Sequence, residues 1–366
     1  TGQSYLGNGS YFGKYTGYLR DSSSAFTLNS RIGHVNLFHG SVRNIALDVH
    51  SDNDYMKLSS FVENDSIQAR VALDYTYGGD AIRLADVSGE LHVRHWDSWN
   101  TPVFGERESF GFRFFGNYEQ RNEDAEVKLS VSDLSYENVR GKFTVDSIRL
   151  DHKKIEDYGL TDLRSSMADV RVEGFYAGLT FEDFVDNLIC RYIPAYRYAV
   201  DKALRPGTNF ICEAALKEIS PVLKVIYPEL TVSDGTSFSC DFNDYQGSLR
   251  VRVEADTLRW GDMHLYHSKI RAIGDSSTLQ CIYTADELKY KRIGRLYNVR
   301  NVTNIKTNDV DNALSWGNWE KETYSGSLSA NLRLMKYHDR YITQVFVNPG
   351  TIVMADSVWQ VERALL

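Results

Sequence analysis

The sequence predicts a mainly β protein: an extended, repeating antiparallel sheet with one short, interrupted helical insertion, or alternatively a large β-sandwich. Three observations carry this reading. Apolar and polar residues alternate with period two in segment after segment. The 366 residues include 23 Tyr and 17 Phe but only 6 Pro, a composition that suits strands. Only the stretch from 180 to 230 leaves this pattern for helical spacing.

Taken in order, residues 1–30 carry Gly7, Gly9, Gly13 and Gly17 and a Ser22-Ser23-Ser24 run, so a loose entry precedes the first strands. Alternation then settles in Ala69-Arg70-Val71-Ala72-Leu73-Asp74-Tyr75, Leu91-His92-Val93-Arg94, Phe110-Gly111-Phe112-Arg113-Phe114, Val127-Lys128-Leu129-Ser130-Val131 and Val170-Arg171-Val172-Glu173. It resumes where Leu249, Val251, Val253 and Ala255 interleave with Arg250, Arg252, Glu254 and Asp256. It returns once more where Leu328, Ala330, Leu332 and Leu334 interleave with Ser329, Asn331 and Arg333. Side chains along a strand point alternately to opposite faces, so these segments build one apolar and one charged face. The candidate apolar face therefore comprises Leu91, Val93, Val127, Leu129, Val131, Val170, Val172, Leu249, Val251, Val253, Leu328, Leu332 and Leu334.

The central stretch opens on Thr180-Phe181-Glu182-Asp183, a hydroxyl followed by a carboxylate three residues on. Phe181, Phe184, Val185, Leu188, Ile189 and Tyr192 then form one helical stripe, and Pro194 stops it. A second helical segment is expected from Ala195 to Leu204, ending at Pro206-Gly207. A third is expected from Glu213 to Ile226, bent at Pro221 and closed by Pro228. The domain reading is thus 1–178, a first strand segment; 179–230, a helical insertion; and 231–366, a second strand segment. The stripe reads as a cover over a sheet edge or end, or as a lid over an apolar groove.

A faint repeat runs through the strands. Val145-Asp146-Ser147-Ile148-Arg149-Leu150 resembles Ala255-Asp256-Thr257-Leu258-Arg259-Trp260, with Asp133-Leu134-Ser135-Tyr136 as a weaker echo. Each of the first two reads as a strand end, with turns at Asp151-His152-Lys153 and Gly261-Asp262. Repeated strand-turn-strand units suggest a sheet that grows along one axis.

Chemistry is sparse. The net charge is −8 and the pI about 5.6, with Lys and Arg spread singly, which argues against nucleic acid. Cys190, Cys212, Cys240 and Cys281 lack metal spacing; a Cys190–Cys212 bridge and buried free thiols are both open. His92-x-x-His95 and His264-x-x-His267 sit in strand-like segments, where i and i+3 face opposite sides, so no metal site is expected. No phosphate-binding or nucleophile motif occurs. The chain reads as a non-enzyme with no cofactor. No apolar run approaches the roughly 20 residues that span a membrane. The chain starts at Thr1 and ends on Ala-Leu-Leu, so it reads as a segment of a longer polypeptide; any anchor or export signal of the full protein is expected to lie outside it. Trp96, Trp99, Trp316 and Trp319 would stack on sugars if exposed and fill a core if packed.

From Tyr227 a family likeness emerges. Tyr227-Pro228-Glu229-Leu230-Thr231-Val232-Ser233-Asp234-Gly235-Thr236-Ser237-Phe238 precedes Leu258-Arg259-Trp260-Gly261-Asp262 and Leu296-Tyr297-Asn298. Leu314-Ser315-Trp316-Gly317-Asn318-Trp319, Tyr324-Ser325-Gly326-Ser327-Leu328 and Pro349-Gly350-Thr351-Ile352-Val353-Met354-Ala355-Asp356-Ser357-Val358-Trp359 follow. This order resembles the TamB (translocation and assembly module) proteins of the Bacteroidetes type, within the AsmA-like group of bridge-like lipid-transfer proteins. The likeness is best over 140–366. It implies a long, highly curved sheet folded like a taco around an apolar groove. It further implies a full-length protein anchored in the bacterial inner membrane and crossing the periplasm to an outer-membrane barrel of the Omp85 class. The implied roles are phospholipid transport and outer-membrane protein assembly, with phospholipid acyl chains as partners. A groove or sheet edge that takes an unfolded polypeptide by strand addition, and a carbohydrate-binding sandwich, are the alternatives.

Overall fold

The computed structural model describes residues 10–20, 23–37, 40–63, 67–78, 81–94, 108–176, 181–196, 207–291, 294–317, 324–337, 340–354 and 357–365. The fold is mainly β, as the alternation predicts. Before the helices run β1 (Ser10–Arg20), β2 (Ser23–Leu37), β3 (Gly40–Asp52), β4 (Tyr55–Glu63), β5 (Ile67–Gly78), β6 (Ala81–Val93), β7 (Ser109–Arg121), β8 (Asp124–Asn138), β9 (Gly141–Ile155), β10 (Tyr158–Ser165) and β11 (Ala168–Phe175). Helix α1 (Phe181–Tyr192), β12 (Asn209–Leu216), helix α2 (Ser220–Ile226), β13 (Leu230–Val232) and β14 (Ser237–Asn243) follow. The remainder comprises β15 (Ser248–Trp260), β16 (Met263–Gly274), β17 (Thr278–Tyr290), β18 (Gly294–Lys306), β19 (Asp309–Trp316), β20 (Tyr324–Tyr337), β21 (Arg340–Val347), β22 (Gly350–Met354), β23 (Ser357–Val361) and β24 (Ala364–Leu365).

The chain divides into two compact units. The first holds residues 1–156, 160–167 and 224–227; the second holds 157–159, 168–223 and 228–366. Each is an open antiparallel ladder in which strands pair in chain order, rather than a sandwich. In the first unit, β1 to β9 pair successively. In the second, β11, β12, β14, β15, β16, β17, β18, β19 and β20 do the same. Short β13 continues the line of β14 along β15. Likewise β21 and β22 are two pieces of one strand along β20, interrupted at Asn348-Pro349, where proline removes a ladder donor. Tight turns join long strands; at Thr307-Asn308 both residues have positive φ, 43° and 72°, as a type I′ hairpin turn requires.

Two expectations are corrected. The segment from Glu213 is not helical until Ser220: Phe210, Cys212, Ala214 and Leu216 alternate inside β12, and pairing with β11 and β14 overrides the helix preference of Glu-Ala-Ala-Leu-Lys. Pro221 does not bend a helix either. It is the second residue of α2, near the N-terminus where a missing N–H costs nothing. The expected second segment, Ala195 to Leu204, lies mostly outside the described residues. What is described there is a 3₁₀ turn at Pro194–Tyr196, immediately after α1 as Pro194 predicted.

The faint repeat marks a strand end in its second copy, where β15 ends at Trp260 and turns at Gly261-Asp262, but not in its first. Asp151-His152-Lys153 lies inside β9, whose turn comes at Glu156-Asp157. In β9, Phe143 and Val145 face inward, then Asp146 and Ser147 are both exposed, then Ile148 and Leu150 face inward. The alternation therefore slips by one residue within the motif. Its partner β8 slips at the same place: Val131 pairs with Ile148 and Leu134 with Val145, with Asp133 between them at φ 53°. In the second unit Ala255 pairs with Ser268 and Ala285 with Val299, all four buried and in register. Three residues along each strand, Leu258, Leu265, Leu288 and Leu296 form the next inward row. His267 (φ 49°) and Asn298 (φ 50°) occupy the slip in alternate strands; Asn, Asp and His are the non-glycine residues that best tolerate this conformation. A one-residue slip repeated across neighbouring strands bends them together, as a bulge bends one strand.

Candidate functional site

Cross-strand partners share a face, so the ladders show where the predicted apolar residues lie. In the first unit, Val62, Ala69, Leu91 and Phe112 follow one another across the sheet. The next row is Ser60, Val71, Gly89, Phe114, Val131 and Ile148, and the next Leu58, Leu73, Val87, Gly116, Leu129 and Leu150. Leu91, Val93, Val127, Leu129 and Val131 thus share one face. Val93 is buried with Ile67 in a small cluster joined by Ile45, Val62 and Phe110; the other four are half-buried. Gly89 leaves room for the Phe114 ring, which a Cβ there would meet at 2.7 Å.

In the second unit one row runs Val170, Ala214, Phe238, Val253, Ile270, Tyr283, Asn301, Leu314 and Leu328. A parallel row holds Val172, Cys212, Cys240, Val251, Ala272, Cys281, Thr303 and Asn312. A third holds Phe210, Phe242, Leu249, Gly274, Leu279, Ile305, Val310 and Leu332. Val170, Val172, Leu249, Val251, Val253, Leu328, Leu332 and Leu334 therefore lie on one face of this unit.

Helix α1 covers part of the third row. Phe184 packs edge-on to Phe210 and Phe242, at 5.0 and 5.1 Å between ring centres. Phe184, Tyr192, Cys240, Phe242 and Leu249 are buried together, with Leu188 and Val251 against them. Tyr192 crosses Gly274, whose Cβ would collide with its hydroxyl. That hydroxyl donates to the Asp275 carbonyl at 2.9 Å, and burial raises its pKa. The Asn308 N–H donates to the Tyr192 carbonyl at 3.2 Å, and the Ala195 N–H to the Asn308 Oδ1 at 2.6 Å. Arg191 pairs with Asp244 at 2.5 Å and lies over the Phe242 ring. Of the predicted cover residues, Phe184, Leu188 and Tyr192 contact the sheet. Val185 is half-buried, Ile189 is exposed, and the Phe181 side chain lies outside what is described.

Several contributors went unread in the sequence. Phe210 and Cys212 were hidden by the helical reading, and Phe238, Cys240 and Phe242 carried a visible i, i+2, i+4 alternation. A polar spot also interrupts the apolar face. Asn312 Nδ2 donates to Thr303 Oγ1 at 2.7 Å and to Asn301 Oδ1 at 3.1 Å, and Thr303 Oγ1 donates to Asn301 Oδ1 at 3.0 Å. In the first unit Tyr75 donates to Met56 Sδ, and burial with the Tyr77 hydroxyl bond pushes its pKa to about 12.

The opposite face carries cross-strand ion pairs: Lys57–Asp74 at 3.4 Å, Arg70–Glu90 at 3.5 Å and Arg333–Asp309 at 2.7 Å. A concavity of about 520 Å³ lined by Ser59, Phe61, Arg70 and Ser88 lies among β3 to β6, and its rim belongs to this polar side. Among the described residues no group of three or more His, Cys, Asp or Glu is placed to hold a metal. His267 pairs with Asp286 at 3.2 Å, and His95 lies outside the described residues, as do Trp96, Trp99 and Trp319. Trp316 lies across Gly326, a packed position. Compared with protein-family models, curated proteins and solved structures, the chain matches none.

Proposed function

We propose that this chain is a TamB-like segment whose apolar face carries phospholipid acyl chains through the periplasm towards an Omp85-class partner. One observation supports this above the others: the aligned Leu, Val, Ile and Phe rows are mostly half-buried rather than fully buried. Full burial concentrates beneath α1, along the slip row and around Ile67–Val93. A sandwich buries its inner face against a second sheet. An open face instead offers each tail methylene about 0.8 kcal/mol of burial without directed polar contacts, which suits tolerance of chain type. The family order of motifs in 227–359 points the same way.

The test is organic extraction of the purified chain, in detergent-free buffer, followed by lipid mass spectrometry against an empty-vector control. Stoichiometric phospholipid is expected. Leu332→Asp should keep the circular dichroism spectrum and lose the lipid; Val251→Asp is less informative, because Val251 packs against the α1 cluster. Absence of lipid from the folded wild-type chain counts against the reading.

A further inference from the structure

Cys212 and Cys240 lie directly opposite each other on β12 and β14. Both thiols are free; Cys240 is part of the buried cluster beneath α1, and Cys212 packs against that cluster. We propose that Cys212 and Cys240 form a reversible cross-strand disulfide, a modification site set by sheet register. It is independent of any lipid role.

The register defines the geometry. The Leu216 N–H donates to the Thr236 carbonyl at 2.8 Å, and the Asp244 N–H to the Thr208 carbonyl at 3.0 Å. Hydrogen-bonded pairs recur at every second residue, so Cys212 and Cys240 form such a pair. Its Cα atoms stand about 5.5 Å apart, inside the roughly 4.4–6.8 Å range that a disulfide spans. Opposed Cβ atoms are about 4.5–5.5 Å apart in a sheet and about 3.5–4.5 Å apart in a disulfide. Closing the bond therefore draws the strands together and stores strain. Strained disulfides are the easily reduced ones.

The other cysteines are excluded by position. Cys281 shares the row with Cys240 but lies three strands away, past Val251 and Ala272, about 14 Å at the usual strand spacing. Cys190 lies two residues, about 200°, round α1 from Leu188, which faces the sheet.

Oxidised glutathione, or a protein disulfide of the same class, is the co-reactant. The Cys212 thiolate attacks one glutathione sulfur; that S–S bond breaks and one glutathione thiolate leaves. The Cys240 thiolate then attacks the Cys212 sulfur of the mixed disulfide and expels the second glutathione. The two thiol protons pass to the two glutathione thiolates, so two protein thiols are oxidised and one glutathione disulfide is reduced. Cys212 goes first because it is the more exposed; Cys240 is 2% exposed, and burial pushes its thiol up to about 12. The bridge closes the base of the excursion that holds α2 and β13 between the two strands.

The experiment equilibrates the intact chain in glutathione buffers from oxidised to reduced, then alkylates it under denaturing conditions and maps its peptides without reduction. One bridge is expected, Cys212 to Cys240, with Cys190 and Cys281 alkylated. Its fraction should fall at least tenfold in the reduced buffer. The urea midpoint should rise on oxidation of the wild-type chain and stay put in Cys212→Ser. Cys240→Ala should hold glutathione on Cys212 as a stable mixed disulfide. Four alkylated cysteines in the oxidised buffer, or any bridge through Cys190 or Cys281, overturns the proposal; the wild-type map decides this even if a variant does not fold.

Discussion

The two units are built from the same alternation and bury it differently. In the second, α1 lies on the apolar face, and five residues, Phe242 among them, are buried together. In the first, the rows through Leu129 and Val131 stay half-buried, and the buried apolar residues are dispersed, Ile67 with Val93 in one place and Phe143, Val145 and Val225 in another. The last turn of α2, which belongs to the first unit, is held by the β8–β9 turn: Asn138 and Arg140 donate to the Val225 and Ile226 carbonyls at 3.4 and 3.1 Å. Period two therefore reports which face a side chain joins. Whether that face is dry or open depends on what else is laid over it.

The largest expected effect tests that contrast directly. Phe242→Ala should cost about 3–5 kcal/mol, whereas Leu129→Ala, at a half-buried site, should cost about 1 kcal/mol. Urea unfolding measures both, and equal losses would mean the two faces are equally covered. Gly274→Ala pushes the new methyl into the Tyr192 hydroxyl and should cost about 1–3 kcal/mol. Alkylation of Cys240 should quicken in the same variant, since the cluster beneath α1 is disturbed. Tyr192→Phe removes one hydrogen bond, to the Asp275 carbonyl, and should cost about 1 kcal/mol.

Acid sharpens the comparison from another side. The Ser277 N–H and the Thr278 hydroxyl and N–H hold the Asp275 carboxylate, lowering its pKa to about 2. A lowered folded-state pKa gives stability that is present above about pH 4 and is lost as pH falls towards 2. The turn that anchors Tyr192 should thus loosen in that window, and Asp275→Asn should flatten the acid limb of a thermal melt. The smallest effect is expected at the charged face: Lys57→Ala, at an exposed pair, should change stability by at most about 0.5 kcal/mol. A loss above 1 kcal/mol would show that this face carries a network the pairwise distances do not reveal.

Much of this architecture was legible in the residues. Valine and leucine at alternate positions of β8, β15 and β20 marked one face, and Phe184, Leu188 and Tyr192 marked the side of α1 that packs. The misreading at Glu213–Leu216 has a physical source: Ala, Leu and Lys favour helix locally, and only two partner strands, both remote in sequence, reverse that preference. The Val145–Leu150 and Ala255–Trp260 motifs were visible, yet a slip in alternation is a property of neighbouring strands in register. One strand alone looks merely irregular. The opposition of Cys212 and Cys240 was hidden for the same reason, because it needs the intervening α2 and β13 to be looped out first.

The pairing of each strand with its chain neighbour has a consequence for how such a molecule is made and changed. Contacts separated by a tight turn close early and cheaply, so each ladder can zip from any hairpin and propagate outward. Stability then accrues hairpin by hairpin, as in other quasi-one-dimensional folds. Inserting one more pair of strands at a turn such as Gly261-Asp262 would replace only the pairing of β15 with β16 and leave their other neighbours in place. The length of the apolar face is in that sense a free parameter, adjusted by duplication and read out in ångströms, about 4.8 for each strand added.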